Sequence, residues 1–280
     1  MKKLVLLFLA GAYLLGSCKD SEQEEVAISW QVDHIEMYDK MTDKTSSVSA
    51  IEYDESGRLV RFGNDYYTYD DQGRLSNLKV YHAQDIYLDH DCFYDEKGRM
   101  TEVRWTNKES NMSSLFAVSR KDRKFFYEGN AIYPAVVEQP YYTRFLFPDA
   151  LIPSEIESQR SEYVYQQGNV AQATYIVKGN SGSGPWSPGA PQEMTVTLKN
   201  TFVFDTHENV YRKLFGQLGY IPLLFTLPLG IDDSFLYSKN NVVKANNDKN
   251  AEMSLLYKYD NQQRVVEIEG GLSIVKIYYK

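Results

Sequence analysis

Cysteine is almost absent from this 280-residue chain, which has two, Cys18 and Cys92. Cys18 ends a hydrophobic leader, so a processed and lipidated chain keeps Cys92 as its one free thiol. An intrachain disulfide is then excluded, and stability must come from packing. Histidine is nearly as scarce, at His34, His82, His90 and His207. No His-Glu-x-x-His, phosphate-binding loop or dinucleotide fingerprint occurs. Neither Ser181 nor Ser183 has the glycines at −2 and +2 that a nucleophile elbow demands. No apolar run reaches the roughly 18 residues of a membrane helix. Positive charge is in deficit, 30 Lys and Arg against 38 Asp and Glu for a net −8, which disfavours nucleic acid and anionic headgroups as partners. Between residues 26 and 205 no stretch sustains a 3.6-residue apolar period, so a helical bundle is excluded too.

Tyrosine, by contrast, is abundant, with 23 Tyr beside 13 Phe, and it recurs in a pattern. Tyr53-Asp54-Glu55-Ser56-Gly57-Arg58-Leu59 returns as Tyr69 to Leu75 and Tyr94 to Met100. Looser copies stand at Tyr165 to Val170, Phe204-Asp205 to Asn209-Val210, and Tyr259-Asp260 to Arg264-Val265. Asp bonds backbone amides just ahead of it and opens a turn, while Gly takes the positive-φ position at little steric cost. Alternating aromatic and β-branched residues flank each copy, so each reads as a hairpin. The expected fold is all-β: an antiparallel up-and-down meander closed or nearly closed into a barrel, because closure removes the edges of a long open sheet. Two segments break the rhythm. Lys178 to Gln192, rich in Gly, Ser and Pro, reads as a loop. Within 207–230, Val210, Leu214, Leu218 and Ile221 repeat at near-helical spacing before the apolar run Leu223 to Leu227. One short helix, capped by Asp205 or Thr206, and an apolar plug are expected there.

Residues 1–17 read as a signal peptide, with Lys2 and Lys3 ahead of the twelve-residue apolar run Leu4 to Leu15. Leu15-Gly16-Ser17-Cys18 resembles the lipobox of bacterial lipoproteins, which implies cleavage before Cys18 and lipid on its thiol and amine. Cleavage removes Lys2 and Lys3 and takes the net charge to −10. Residues 18–25 are polar and acidic, a flexible tether. They also resemble the Lys-then-acidic signal of Bacteroidetes lipoproteins exported to the outer face of the outer membrane. Residues 26–280 remain as one β domain. Its strand Arg99 to Trp105 puts Met100, Glu102 and Arg104 on one side and Arg99, Thr101, Val103 and Trp105 on the other. Neither side suits hydrocarbon, so the barrel is expected to hang from its lipid, with the anchor as its one membrane contact.

Sites are faint. His82, Asp85, Asp89, His90, Asp91 and Cys92 form the one dense patch of potential ligands, but alternation turns Asp89 and Asp91 away from His90 and Cys92. No metal site, cofactor or catalytic residue is expected from it. Trp186, with Tyr141 and Tyr142 after Pro140, are the candidates for ligand binding, by stacking on sugar rings. The Tyr-Asp-x-x-Gly-Arg copies resemble the tyrosine-aspartate repeats of Rhs-type shells. With the lipobox, the stretch Lys213-Leu214-Phe215-Gly216 to Leu223-Leu224 and the following Tyr237-Ser238-Lys239-Asn240-Asn241, they also resemble a family of uncharacterised Bacteroidetes lipoproteins with a porin-like fold. That resemblance covers nearly the whole mature chain and implies a non-enzymatic envelope lipoprotein, binding a glycan, peptide or envelope partner. The alternative is a glycoside hydrolase-like envelope enzyme with a carboxylate pair.

Overall fold

A computed structural model describes residues 30–83, 86–106, 122–144, 155–181, 192–219, 221, 232–249 and 251–280. Its strands are β1 (Val32–Asp39), β2 (Lys44–Tyr53), β3 (Leu59–Phe62), β4 (Asp65–Tyr69), β5 (Leu75–Ala83), β6 (Ile86–Tyr94), β7 (Met100–Trp105) and β8 (Arg123–Phe126). They continue as β9 (Val136–Arg144), β10 (Glu155–Gln166), β11 (Asn169–Ser181), β12 (Gln192–Glu208), β13 (Asn240–Asn247), β14 (Glu252–Tyr259), β15 (Val265–Gly270) and β16 (Ser273–Tyr279). Each pairs antiparallel with its neighbours in sequence, and β16 closes on β1 with Val32 opposite Tyr279 and Asp39 opposite Ser273. The meander is a closed barrel.

The repeats build its corners. In the first, Asp54 Oδ1 accepts from the Ser56 and Arg58 amides at 3.0 and 2.9 Å, while Oδ2 accepts from Arg58 Nε at 2.7 Å. Gly57 sits at φ +75°, Gly73 at +76° and Gly98 at +75°, the conformation that glycine adopts freely. Asp70, Asp95 and Asp260 repeat the same set of bonds. Each corner also carries a register shift, between Glu52 and Tyr53, Thr68 and Tyr69, Phe93 and Tyr94, and Lys258 and Tyr259. The bulge corrects the strict alternation expected of Arg99 to Trp105. Met100 lies inside with Val103, while Glu102 and Arg104 face out and pair at 2.6 Å.

The copy at Phe204-Asp205 makes no hairpin: β12 runs through it to Glu208 and leads into α1 (Val210–Phe215). Asn209 caps that helix, in place of the expected Asp205 or Thr206. Lys178–Ser181 and Gln192, expected in a loop, extend β11 and β12. The helix and a following 3-10 turn at Gly216–Leu218 lie inside the barrel. Val210, Tyr211, Leu214, Phe215 and Leu218 are all buried. Phe215 meets Phe62 of β3 edge to face at 5.4 Å, and Gly219 lies against Met100 of β7. A plug is thus in place, and inward apolar residues of every strand from β1 to β8 pack with it into one core. The run Leu223 to Leu227 lies outside the described residues.

Asp54, Asp70 and Asp95 are held below the ordinary carboxylate range, first by the backbone N–H of the Arg four residues on and also by that Arg's side chain. A carboxylate with a depressed folded pKa stabilises the fold above its unfolded value and loses that contribution as pH falls through the folded one. Urea midpoints should therefore hold from about pH 6 to about pH 4 and fall below it. The Asp54→Asn, Asp70→Asn, Asp95→Asn triple variant should start lower and fall less steeply; equal slopes would contradict the assignment.

Candidate functional site

The densest polar constellation anchors the plug. Asn209, 1% exposed, accepts the Tyr211 and Arg212 amides on Oδ1 at 2.8 and 3.3 Å. Its Nδ2 donates to the carbonyls of Phe235 and Ser238 at 2.6 and 2.7 Å. Asn241 Oδ1 accepts the Val210 amide at 2.8 Å, and its Nδ2 donates to Tyr259 Oη at 3.1 Å. Asn240 exchanges bonds with Asn169, and Ser238 Oγ accepts the Val170 amide at 3.1 Å. The Tyr237-Ser238-Lys239-Asn240-Asn241 stretch is therefore a latch. Short side chains that both donate and accept satisfy the plug's buried backbone where no strand partner exists.

Beyond the latch lie two adjacent carboxylates. Asp233 pairs with Arg123 of β8 at 2.5 Å and accepts the Ile221 amide at 2.8 Å. Asp232 accepts the Ser234 amide at 2.7 Å beside Tyr175 of β11, whose hydroxyl reaches Ser234 Oγ at 3.2 Å. Burial pushes the Asp232 carboxyl above its usual range, against the bonds from Ser234 and Tyr175. Both groups are engaged in fixing the plug to β8 and β11. A small apolar cavity of about 10 Å³, room for a single water, lies nearby between Leu78, Met100, Val103, Phe125 and Leu218, with Arg123 on its wall.

The residues singled out in the sequence do not converge. Cys18 and Trp186 lie outside the described residues, as do Asp85 and the side chain of His82. Tyr141 and Tyr142 fall on β9, their side chains outside the described set. His90 is buried in the wall, while Asp89 and Asp91 face out, bridged by Asn77 Nδ2 at 2.6 and 3.0 Å. Cys92 is partly buried, and burial pushes its thiol up to about 12. Among the described residues no three His, Cys, Asp or Glu gather as a metal site would require.

A surface that the sequence reading passed over lies beside that acidic pair. Tyr66 on β4, Tyr81 on β5 and Tyr87 on β6 cluster on the outer wall, with ring centroids 5.3 and 5.1 Å apart. Tyr66 is 41% exposed. Arg61 stands 5.2 Å over its ring, and Lys79 stands 5.4 Å over that of Tyr87. Phenols, cations and carboxylates on one patch can stack on a sugar or aromatic side chain and exchange hydrogen bonds with hydroxyls or amides. The sequence marks the three tyrosines as strand residues and leaves open which face each takes.

Asn209→Ala strands two amides and two carbonyls at once, and should cost about 3 kcal/mol in urea unfolding with an unchanged m-value. Asn209→Asp should not rescue, since a carboxylate has no proton for Phe235 and Ser238. For Asp232 the sign is opposite to the corners. A raised folded pKa stabilises below the unfolded value, and that contribution is lost as pH rises through the folded one. Asp232→Asn should therefore gain on the parent between about pH 4 and pH 7; a constant difference across that range would refute the assignment.

No family model matches the chain, and no curated protein matches it. Among solved structures, a porin-like protein from Bacteroides vulgatus ATCC 8482 aligns over 89% of this chain and 98% of its own, with a TM-score of 0.51 and 13% identity. A porin-like protein from Bacteroides uniformis ATCC 8492 covers the same shares at a TM-score of 0.36 and 10% identity. A crystal structure of TcdB2-TccC3-Cdc42 aligns over 84% of this chain and 12% of that one, at a TM-score of 0.33 and 11% identity. The last two scores are too low to bear on the fold. At 13% identity the likeness to the Bacteroides vulgatus protein is one of fold.

Proposed function

We propose that this chain is a non-enzymatic lipoprotein of the outer membrane, held by lipid on Cys18, whose barrel binds a glycan, peptide or envelope partner through its outer wall. The observation that carries this reading is the division between wall and lumen. Outside, Arg61 pairs with Glu52, Arg160 with Glu138, Lys244 with Glu252 and Lys258 with Glu267, at 2.5 to 2.7 Å. Charges at those positions are costly in hydrocarbon. Inside, the latched helix and its aromatic contacts occupy the lumen. A barrel with a charged exterior and a plugged interior is suited to being displayed rather than embedded, and its aromatic patch to binding rather than conduction.

Residue 30 enters the barrel at the corner rim, since Val32 lies beside Tyr53 and opposite Tyr279. A tether of residues 18–25 would hang the domain by that rim and leave the wall of β4–β6 facing outward.

Cys18→Ala should abolish labelling by an alkyne fatty acid and release the protein from membranes. For binding, the domain is screened on glycan and peptide arrays, and hits are retested with Tyr66→Ala and Tyr87→Ala. Each variant should weaken a true ligand about tenfold or more, the scale of one lost stacking contact. Binding indifferent to both substitutions would remove the patch from the reading, and no hit on either array, with no partner in envelope pulldowns, would sink it.

A further inference from the structure

One face of the plug helix is left uncovered, at the rim where the chain enters the barrel. Along α1, Val210, Tyr211, Leu214 and Phe215 are buried, whereas Arg212 is half-buried and Lys213 exposed. Gly216 and Gln217, just beyond, are exposed as well, and a Cβ placed on Gly216 would meet nothing within 4 Å. Contacts at the rim fix which way this face looks. Lys213 Nζ stands 5.5 Å over the ring of Trp30, and Arg212 stands 5.0 Å over that of Tyr133. Trp30 leads into β1 and meets Tyr279 edge to face at 6.0 Å. The face therefore looks out through the corner rim.

Cations stand around it without carboxylates of their own. The corner arginines Arg58, Arg74, Arg99 and Arg264 are each paired with the Asp four residues back, at 2.6 to 2.8 Å. Lys213 has Glu208 at 2.8 Å. Arg212 rests on the Tyr133 ring, and Lys280 lies 5.2 Å over the ring of Tyr53. Lys239 stands at the helix start, its carbonyl accepting the Asn209 amide at 3.0 Å. Among the described residues no carboxylate pairs with Arg212, Lys239 or Lys280.

We infer that the acidic segment ahead of the barrel, residues 20–25, docks on this cationic helix face. Asp20, Glu22, Glu24 and Glu25 stand there against the single cation Lys19. The segment lies outside the described residues, but its tie to Trp30 bounds its reach. From Trp30 back to Glu24 a flexible chain spans roughly 13 Å, and about 20 Å at full stretch. The six-residue helix is about 9 Å long. The carboxylates of Glu22, Glu24 and Glu25 thus reach the whole face, and the tether holds them at a millimolar effective concentration. Such pairs are exposed and screened by salt, so docking is an equilibrium that low ionic strength favours. A docked tether brings Cys18 back over the plug and stands the barrel on that rim. Docking needs neither the lipid nor a ligand of the outer wall, so its failure leaves the reading above untouched.

The test uses the chain from residue 18 with Cys18→Ser, cut in low salt by a Glu-specific protease, with the fragments released at Glu22, Glu24 and Glu25 followed by mass. Cleavage there tracks the undocked fraction. The Arg212→Glu, Lys239→Glu, Lys280→Glu triple variant keeps the tether sequence and should be cut about fivefold faster or more. Lys280→Glu alone lies outside the plug and should give part of that rise. Lys249→Glu, the same charge change on the turn between β13 and β14, should leave the rate as it is. Gln23→Cys with Gly216→Cys should close an intrachain disulfide faster in low salt than at about 0.5 M. Cys92 stays out of it, since burial pushes its thiol up to about 12. Glu24→Lys with Glu25→Lys should slow that cross-link, and adding Arg212→Glu with Lys239→Glu should restore it. Equal cleavage of parent and triple variant, an equal rise from Lys249→Glu, or a cross-link indifferent to salt and to charge reversal would each overturn the inference. So would phosphatidylglycerol vesicles that bind the parent through Arg212 and Lys239 without speeding cleavage of the tether, since headgroups would then have found the face empty.

Discussion

A carboxylate, a guanidinium and a phenol, repeated around one rim, hold this barrel in shape. The Asp of each corner fixes its Arg, and the Arg lies over the ring of a Tyr at the far end of the hairpin that follows: Arg58 over Tyr69 at 4.7 Å, Arg74 over Tyr94 at 4.5 Å, Arg99 over Tyr127 at 4.5 Å and Arg264 over Tyr279 at 4.3 Å. Each Tyr hydroxyl then donates to a carbonyl of the strand just past that Arg: Leu59, Leu75, Met100 and Val265 respectively. A lone exposed ion pair contributes little. Here the Arg is already ordered by its own Asp, so stacking on the next ring costs little further entropy. The linkage lets strands as short as the four residues of β3 and the five of β4 hold register.

The same geometry creates the need for a plug. A barrel of sixteen strands is wide enough to leave a lumen that wall side chains alone do not fill. Bulges at the corners turn Leu59, Leu75, Met100 and Val265 inward, and the latched helix supplies the rest of the packing. The plug brings backbone polar groups into an apolar interior, which is tolerable only because Asn209 and Asn241 meet them.

What the sequence revealed was local, and what it concealed depended on contacts far apart. Corners were legible because Asp, Gly and Arg lie within five residues of one another. The fourth full corner shows the tolerance of the code, since Gln263 takes the glycine position at φ +60°. Phe204-Asp205 misled because Asn209, not Arg, stands four residues on, and Asp205 is occupied by the hydroxyl of Tyr259 at 2.5 Å, 54 residues away. Bulges have no signature in alternation and shifted Met100 to the opposite face. The tyrosines of the outer wall were visible as strand residues, but which face looked outward became clear only with the closed register.

The seam between first and last strands carries one more implication. Lys280 N–H reaches the Gln31 carbonyl at 2.9 Å, and Tyr278 reaches Glu36 at 3.0 Å across 242 residues of chain. Strand β16 is thus a keystone, and the cylinder stays an unrolled sheet until β16 is laid against β1. Until then two strand margins stand bare, and each must be kept from pairing elsewhere. Because Gln31 and Lys280 stand side by side, a circular permutant that joins residue 280 to residue 30 and opens an exposed hairpin keeps every strand pair of the barrel.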